Sequence, residues 1–137
     1  MKTAMEIGEA LEHELLSWPD VTVGRHRFGG RAFRVGKIEI GHLHGSDDAD
    51  FPFPLAIRDE LVSRGKVSPH HHLPDSGRVS FYIRDKTDIP TVLALFRRNY
   101  KRIQPAVQRQ RKRRKGRLMD SIQKSDANET GIGMPCA

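Results

Sequence analysis

Cysteine is nearly absent: the 137 residues include one, Cys136, beside the C-terminus. A single thiol closes no disulfide framework and builds no multi-cysteine metal site. A reducing, cytoplasmic location is therefore expected. Long hydrophobic runs are also missing. No stretch approaches the ~20 apolar residues of a membrane span, so no membrane is expected among the partners. The first residues carry acids where a signal peptide needs an unbroken apolar run. Aromatics make up 7% of the chain, and all six Phe fall within residues 1–96. Glycine-rich phosphate cradles for a flavin or nucleotide are absent. One segment lacks acid altogether: residues 97–117 hold eleven Lys and Arg and no Asp or Glu.

The formal net charge of +7 hides a split. Residues 1–96 and residues 118–137 each sum to −2, so the sequence pI near 10.0 belongs to one short segment. An electrostatic argument about nucleic acid must be made for that segment alone. The large aliphatic residues concentrate in residues 1–96, which predicts one folded domain over 1–104 and a basic, disordered tail over 105–137.

Thr3 and Glu6 fit a capping box. Ile7, Leu11, Leu15 and Trp18 then recur at helical spacing until Pro19 ends the stripe. Val21 and Val23 alternate with polar residues towards Arg27. Gly29-Gly30 suits a tight hairpin, and residues 32–35 form a second strand closed by Gly36-Lys37. Residues 37–44 alternate as a third strand, with Ile38, Ile40, His42 and His44 on one face and Glu39, Gly41 and Leu43 on the other. Residues 45–54 read as a loop, with Asp47, Asp48 and Asp50 solvated. A helix follows from Pro54 to Arg64, with Gly65 as its stop. Residues 78–84 alternate clearly as a strand, and Asp88 is the expected cap of a helix buried through Ile89, Val92, Leu93, Phe96 and Tyr100. The order α-β-β-β-α-β-α predicts an α+β fold, an antiparallel sheet with helices on one face.

Five of the seven histidines fall in two clusters, His42/His44 and His70–His72. Strand alternation puts His42 and His44 together, where two imidazoles suit one divalent metal ion; His70 would be the third, and Asp75 could supply a carboxylate. The competing reading is that these histidines hydrogen-bond and close the sheet end. Ser76 in Asp75-Ser76-Gly77 reads as turn chemistry rather than as a nucleophile. Arg25, Arg27, Arg31 and Arg34 flank the glycine hairpin, either to hold an anion or as the solvated face of a sheet. In the basic segment, Arg109, Arg111, Lys112, Arg113, Arg114, Lys115 and Arg117 are candidate phosphate contacts for sequence-blind nucleic-acid binding, set against a purely solubilising role.

Several spaced motifs agree in order with a known family. His26-Arg-Phe-Gly-Gly-Arg-Ala-Phe-Arg34, Ile40-Gly-His-Leu-His-Gly45, Phe51-Pro-Phe-Pro54 and His71-His-Leu-Pro-Asp-Ser-Gly-Arg-Val-Ser-Phe81 resemble the bacterial and fungal luciferase-domain family over about residues 18–100. The strand pair and the final strand-plus-helix are more distantly similar to MmcQ/YjbR proteins. That likeness implies a frataxin-like, YjbR-like α+β fold and, for some members, proposed DNA binding. Neither resemblance supplies a catalytic residue. The chain is too short for the barrel of bacterial luciferases. The expectation is therefore a small-ligand- or partner-binding module, not a light-emitting enzyme, with its pocket lined by His42, His44, His71, His72 and Asp75 and supported by Arg31 and Arg34. Two alternatives stand beside it: a nucleic-acid-associated protein using 97–117, and a metal-dependent enzyme at the histidine patch.

Overall fold

A computed structural model describes residues 4–25, 29–70 and 76–133. The Thr3 cap, the strand end at Arg27, and His71, His72 and Asp75 lie outside the described residues. The elements are α1 (Ala4–Leu16), β1 (Val21–Arg25), β2 (Arg31–Val35), β3 (Ile38–His44), β4 (Asp48–Pro52), α2 (Leu55–Ser63), β5 (Ser68–Pro69), β6 (Arg78–Tyr82), a 3₁₀ turn (Lys86–Asp88) and α3 (Ile89–Gly133). The six strands form one antiparallel sheet in the order β1-β2-β3-β4-β6-β5. The chain divides into two units, Met1–Gln104 and Pro105–Ala137.

The α+β class and the helices on one face are as the sequence predicts. Two strands are additional. Residues 45–54 are not a loop: a three-residue connection leads into β4, which pairs Asp50 with His42 and Asp48 with His44. The signal was present, because Ala49, Phe51 and Phe53 alternate. Prolines at 52 and 54 obscured it, since proline is normally confined to strand ends and edges; Pro52 is indeed the last residue of β4. The helix after the 3₁₀ turn also starts differently from expectation. Asp85 accepts from the Thr87 amide at 2.7 Å, while the Asp88 carboxylate takes the Arg84 amide at 2.8 Å.

One face of the sheet carries the core. Leu11 and Leu15 of α1, Phe33 and Val35 of β2, Phe51 of β4, Val79 of β6, and Val92 and Phe96 of α3 are fully buried. Phe96 sits edge-on to Phe33 at 5.5 Å and to Phe51 at 4.8 Å. It reaches the sheet because residue 41 is glycine: a Cβ there would lie 2.6 Å from Phe96 Cε1. The stripe of α3 is Val92, Leu95, Phe96, Asn99 and Ile103, rotated by about 60° around the helix from the face the sequence predicts. Trp18 packs against Tyr100 at 5.3 Å, and the Tyr100 hydroxyl donates to the Pro19 carbonyl at 2.8 Å.

The register of β3 contains a bulge. Gly41 pairs with Phe33 and Glu39 with Arg34, which leaves Ile40 as the extra residue. The bulge breaks the simple alternation expected for this strand. Glu39 therefore shares the His42 face, while Ile40 is fully buried and Ile38 is 43% exposed. Asn99, fully buried on α3, donates to the Ile40 carbonyl at 3.0 Å and to the Pro52 carbonyl at 2.9 Å. One amide thus ties the bulge of β3 to the end of β4, the two strands that carry the polar face.

The α3 helix runs through Pro105 to Gly133, where the sequence reading expects a disordered tail. Between Pro105 and Gly116 the residues are Ala, Val, Gln, Arg and Lys, most of them strong helix formers. Local propensity therefore supports a helix even without an apolar stripe.

Candidate functional site

The face of the sheet opposite the core helices carries a compact polar cluster. Its centre is Asp50, fully buried in β4. The Asp50 Oδ2 atom lies 3.0 Å from His42 Nε2, 3.1 Å from His44 Nε2 and 3.7 Å from His70 Nε2. The Ser80 hydroxyl donates to the other oxygen, Oδ1, at 2.5 Å. His42 also meets Glu39 Oε2 through Nδ1 at 3.2 Å, and Arg78 approaches the same Glu39 oxygen at 3.7 Å. The His42 and His44 rings stand edge-to-face with centroids 4.8 Å apart.

Register explains each position. His42 faces Asp50 across β3–β4, and Asp50 faces Ser80 across β4–β6. His44 is two residues along on the same face, so it reaches Asp50 diagonally. His70 follows the short edge strand β5, and its amide donates to the Arg78 carbonyl at 3.2 Å. That bond holds its side chain on the Ser80 side of the sheet.

Burial alone would lower the His42 pKa. The hydrogen bonds to Asp50 and Glu39, and the charges of those carboxylates, outweigh burial and raise it to about 9. Burial would likewise raise Asp50, yet the bonds from His42 and Ser80 and the charges of His42 and His70 hold its carboxyl far below the usual range.

Of the residues singled out in the sequence, His42, His44 and His70 are brought together. Arg34 shares their face, paired in register with Glu39. Arg31 does not: it points to the helix side, where its Nε meets Glu12 Oε1 at 2.9 Å. Ser76 accepts the Arg78 amide at 3.1 Å, which is turn chemistry. The sequence reading missed Asp50, Ser80 and Glu39. The acid-rich stretch predicts a solvated loop for Asp50, whereas strand pairing buries it under three imidazoles.

The donor set suits a divalent ion. His42, His44 and Asp50 each offer a ligand atom within 4.8 Å of the others, and the Nε2–Oδ2 distances bracket the about 3.3 Å separating donors in a tetrahedral zinc site with ordinary bond lengths. The outer partners fit as well. With an ion bound, Glu39 accepting from Nδ1 would leave the His42 Nε2 lone pair for the metal, and Ser80 orients the carboxylate. A cleft of about 290 Å³ borders the cluster at Ser80, with Lys66, Ser68, Tyr82 and Arg84 also in its wall.

Among the described residues no helix is long and apolar enough to cross a membrane. Comparison with curated proteins and with solved structures finds no match. The family model described as Luciferase domain matches residues 37–99, the span from the start of β3 into α3 that contains His42, His44, Asp50, His70 and Ser80, so this segment is similar to that family.

Proposed function

We propose that this domain binds one divalent transition-metal ion through His42, His44 and His70 Nε2 and Asp50 Oδ2, as the centre of a small-ligand-binding module. The observation that carries this reading is the crowding of one buried oxygen. Three imidazole nitrogens converge on Asp50 Oδ2, which has two lone pairs. One cation placed among these atoms would accept lone pairs from all four donors. Imidazole and carboxylate together suit zinc or iron. The His44 side chain is 32% exposed while His42 and Asp50 are buried, so a small oxygen- or nitrogen-donor ligand would reach the ion from the His44 side. Light emission forms no part of this proposal. Cytoplasmic residence does, and it rests on the single cysteine.

Metal analysis and calorimetry on tag-free protein test the reading. One equivalent of Zn²⁺ or Co²⁺ should bind at micromolar concentration or below, Co²⁺ with visible d–d absorption. His70→Ala and Asp50→Asn should each abolish stoichiometric binding. Absence of binding below millimolar metal would leave a metal-free His–Asp ion network, the alternative favoured by the raised His42 pKa.

A further inference from the structure

The helical segment after Pro105 has no place in the metal site, and its charge distribution has its own geometry. Arg109, Arg111, Lys112, Arg113, Arg114, Lys115 and Arg117 are all exposed, and no acid occurs among residues 97–117. At 3.6 residues per turn, these seven cations surround the helix axis with no gap wider than about 60°. This is not an amphipathic pattern. A flat anionic surface touches one side of a helix and would leave half of these charges in solvent. The exposed apolar residues nearby, Leu118, Met119 and Ile122, lie on the same side of the helix as Arg111 and Lys115. A lipid-inserting face would therefore be interrupted by cations directly before it. An acidic protein partner would likewise present its charge to one side.

A groove with phosphates on both walls uses charge all round. The major groove of B-DNA is about 12 Å wide, and a helix with its side chains is about 10–12 Å across. Residues 109–117 span about 13 Å at 1.5 Å per residue, a length of duplex that carries about eight phosphates. Seven cations face about eight anions. We propose that the 109–117 segment of α3 is a duplex-DNA anchor, lying in the major groove and held by phosphates on both walls. Held by phosphate contacts, which carry no sequence information, it would be blind to sequence. The like-charge pairs at i,i+4, such as Arg109/Arg113 and Arg113/Arg117, repel in the free helix, so phosphate contact also strengthens the helix.

The test is fluorescence anisotropy with the full chain and two unrelated labelled 20-bp DNA duplexes across a KCl series. Two variants remove three charges from opposite sides: Arg109→Gln/Lys112→Gln/Arg113→Gln and Arg111→Gln/Arg114→Gln/Arg117→Gln. Glutamine keeps helix propensity, and circular dichroism checks that each variant is folded. Both duplexes should bind equally. Each triple variant should lower the slope of log K against log salt by about two to three. Duplex RNA, whose major groove is deep and narrow, should bind more weakly. Loss confined to one triple variant, equal affinity for duplex RNA, or preference for phosphatidylserine vesicles or polyglutamate over DNA overturns the proposal.

Discussion

Asp50→Asn removes one charge from the centre of the polar face and keeps its shape. In the metal-free protein the carboxylate is fully buried and faces His42, His44 and His70, with Ser80 on its second oxygen. Breaking a buried ion pair from one side costs about 3–5 kcal/mol. His42 can shed its proton once its partner is neutral, so the lower end applies, about 3 kcal/mol. For a folded unit of about 100 residues, each kcal/mol moves the midpoint by about 4–8 °C, so the fall should be about 12–24 °C. The measurement is thermal unfolding at pH 6 with chelator present, alongside a Co²⁺ titration at pH 7.5. The His42 pKa, followed by NMR, should drop well below about 9. A midpoint shift under about 3 °C together with intact stoichiometric metal binding would refute both the buried network and the ligand assignment.

Three further outcomes follow from the same geometry. The raised His42 pKa contributes stability to metal-free protein that is fully present below pH 6.5 and lost as pH rises through about 9; the depressed Asp50 contributes stability present above pH 3.8 and lost as pH falls below it. Urea midpoints of chelated protein should therefore be highest between about pH 4 and 6.5 from these two groups, whereas metal affinity, which needs neutral imidazoles, should rise with pH over the same range. Glu39→Gln should weaken metal binding about 10–100-fold through loss of its bond to His42 Nδ1, and in chelated protein should lower the unfolding midpoint by less than Asp50→Asn, since Asp50 still holds His42. Asn99→Ala leaves the Ile40 and Pro52 carbonyls without their donor and should cost about 2–4 kcal/mol in chemical denaturation, with faster amide exchange in β3 and β4.

Local signals carried far in this chain. The helical stripe of Ile7, Leu11 and Leu15 and the alternation of Val79 and Phe81 are short-range patterns, and the structure places them in α1 and β6. His42 and His44 were legible as a pair because two residues apart on a strand means one face. Asp50 was not legible. Its carboxylate sits in an acid-rich stretch that resembles a solvated turn, and only pairing with β3 and β6 shows it to be buried. The phase of Glu39 was misread for a related reason: the bulge at Ile40 depends on a carbonyl satisfied by Asn99, 59 residues away. Arg31 and Arg34 looked equivalent beside the hairpin, yet strand parity sends them to opposite faces.

The sequence by itself determined the α+β class, the positions of the main helices and four of the six strands, the concentration of charge in one acid-free segment, and the histidines worth following. These depend on periodicity and composition, which act over a few residues. Only the tertiary structure decided that His42, His44 and His70 meet at one carboxylate, and that Glu39 and Ser80 stand behind them. A site of this kind is made by hydrogen-bond register between strands distant in sequence, and the placing of Asp50 opposite both His42 and Ser80 follows from backbone pairing that no local pattern encodes.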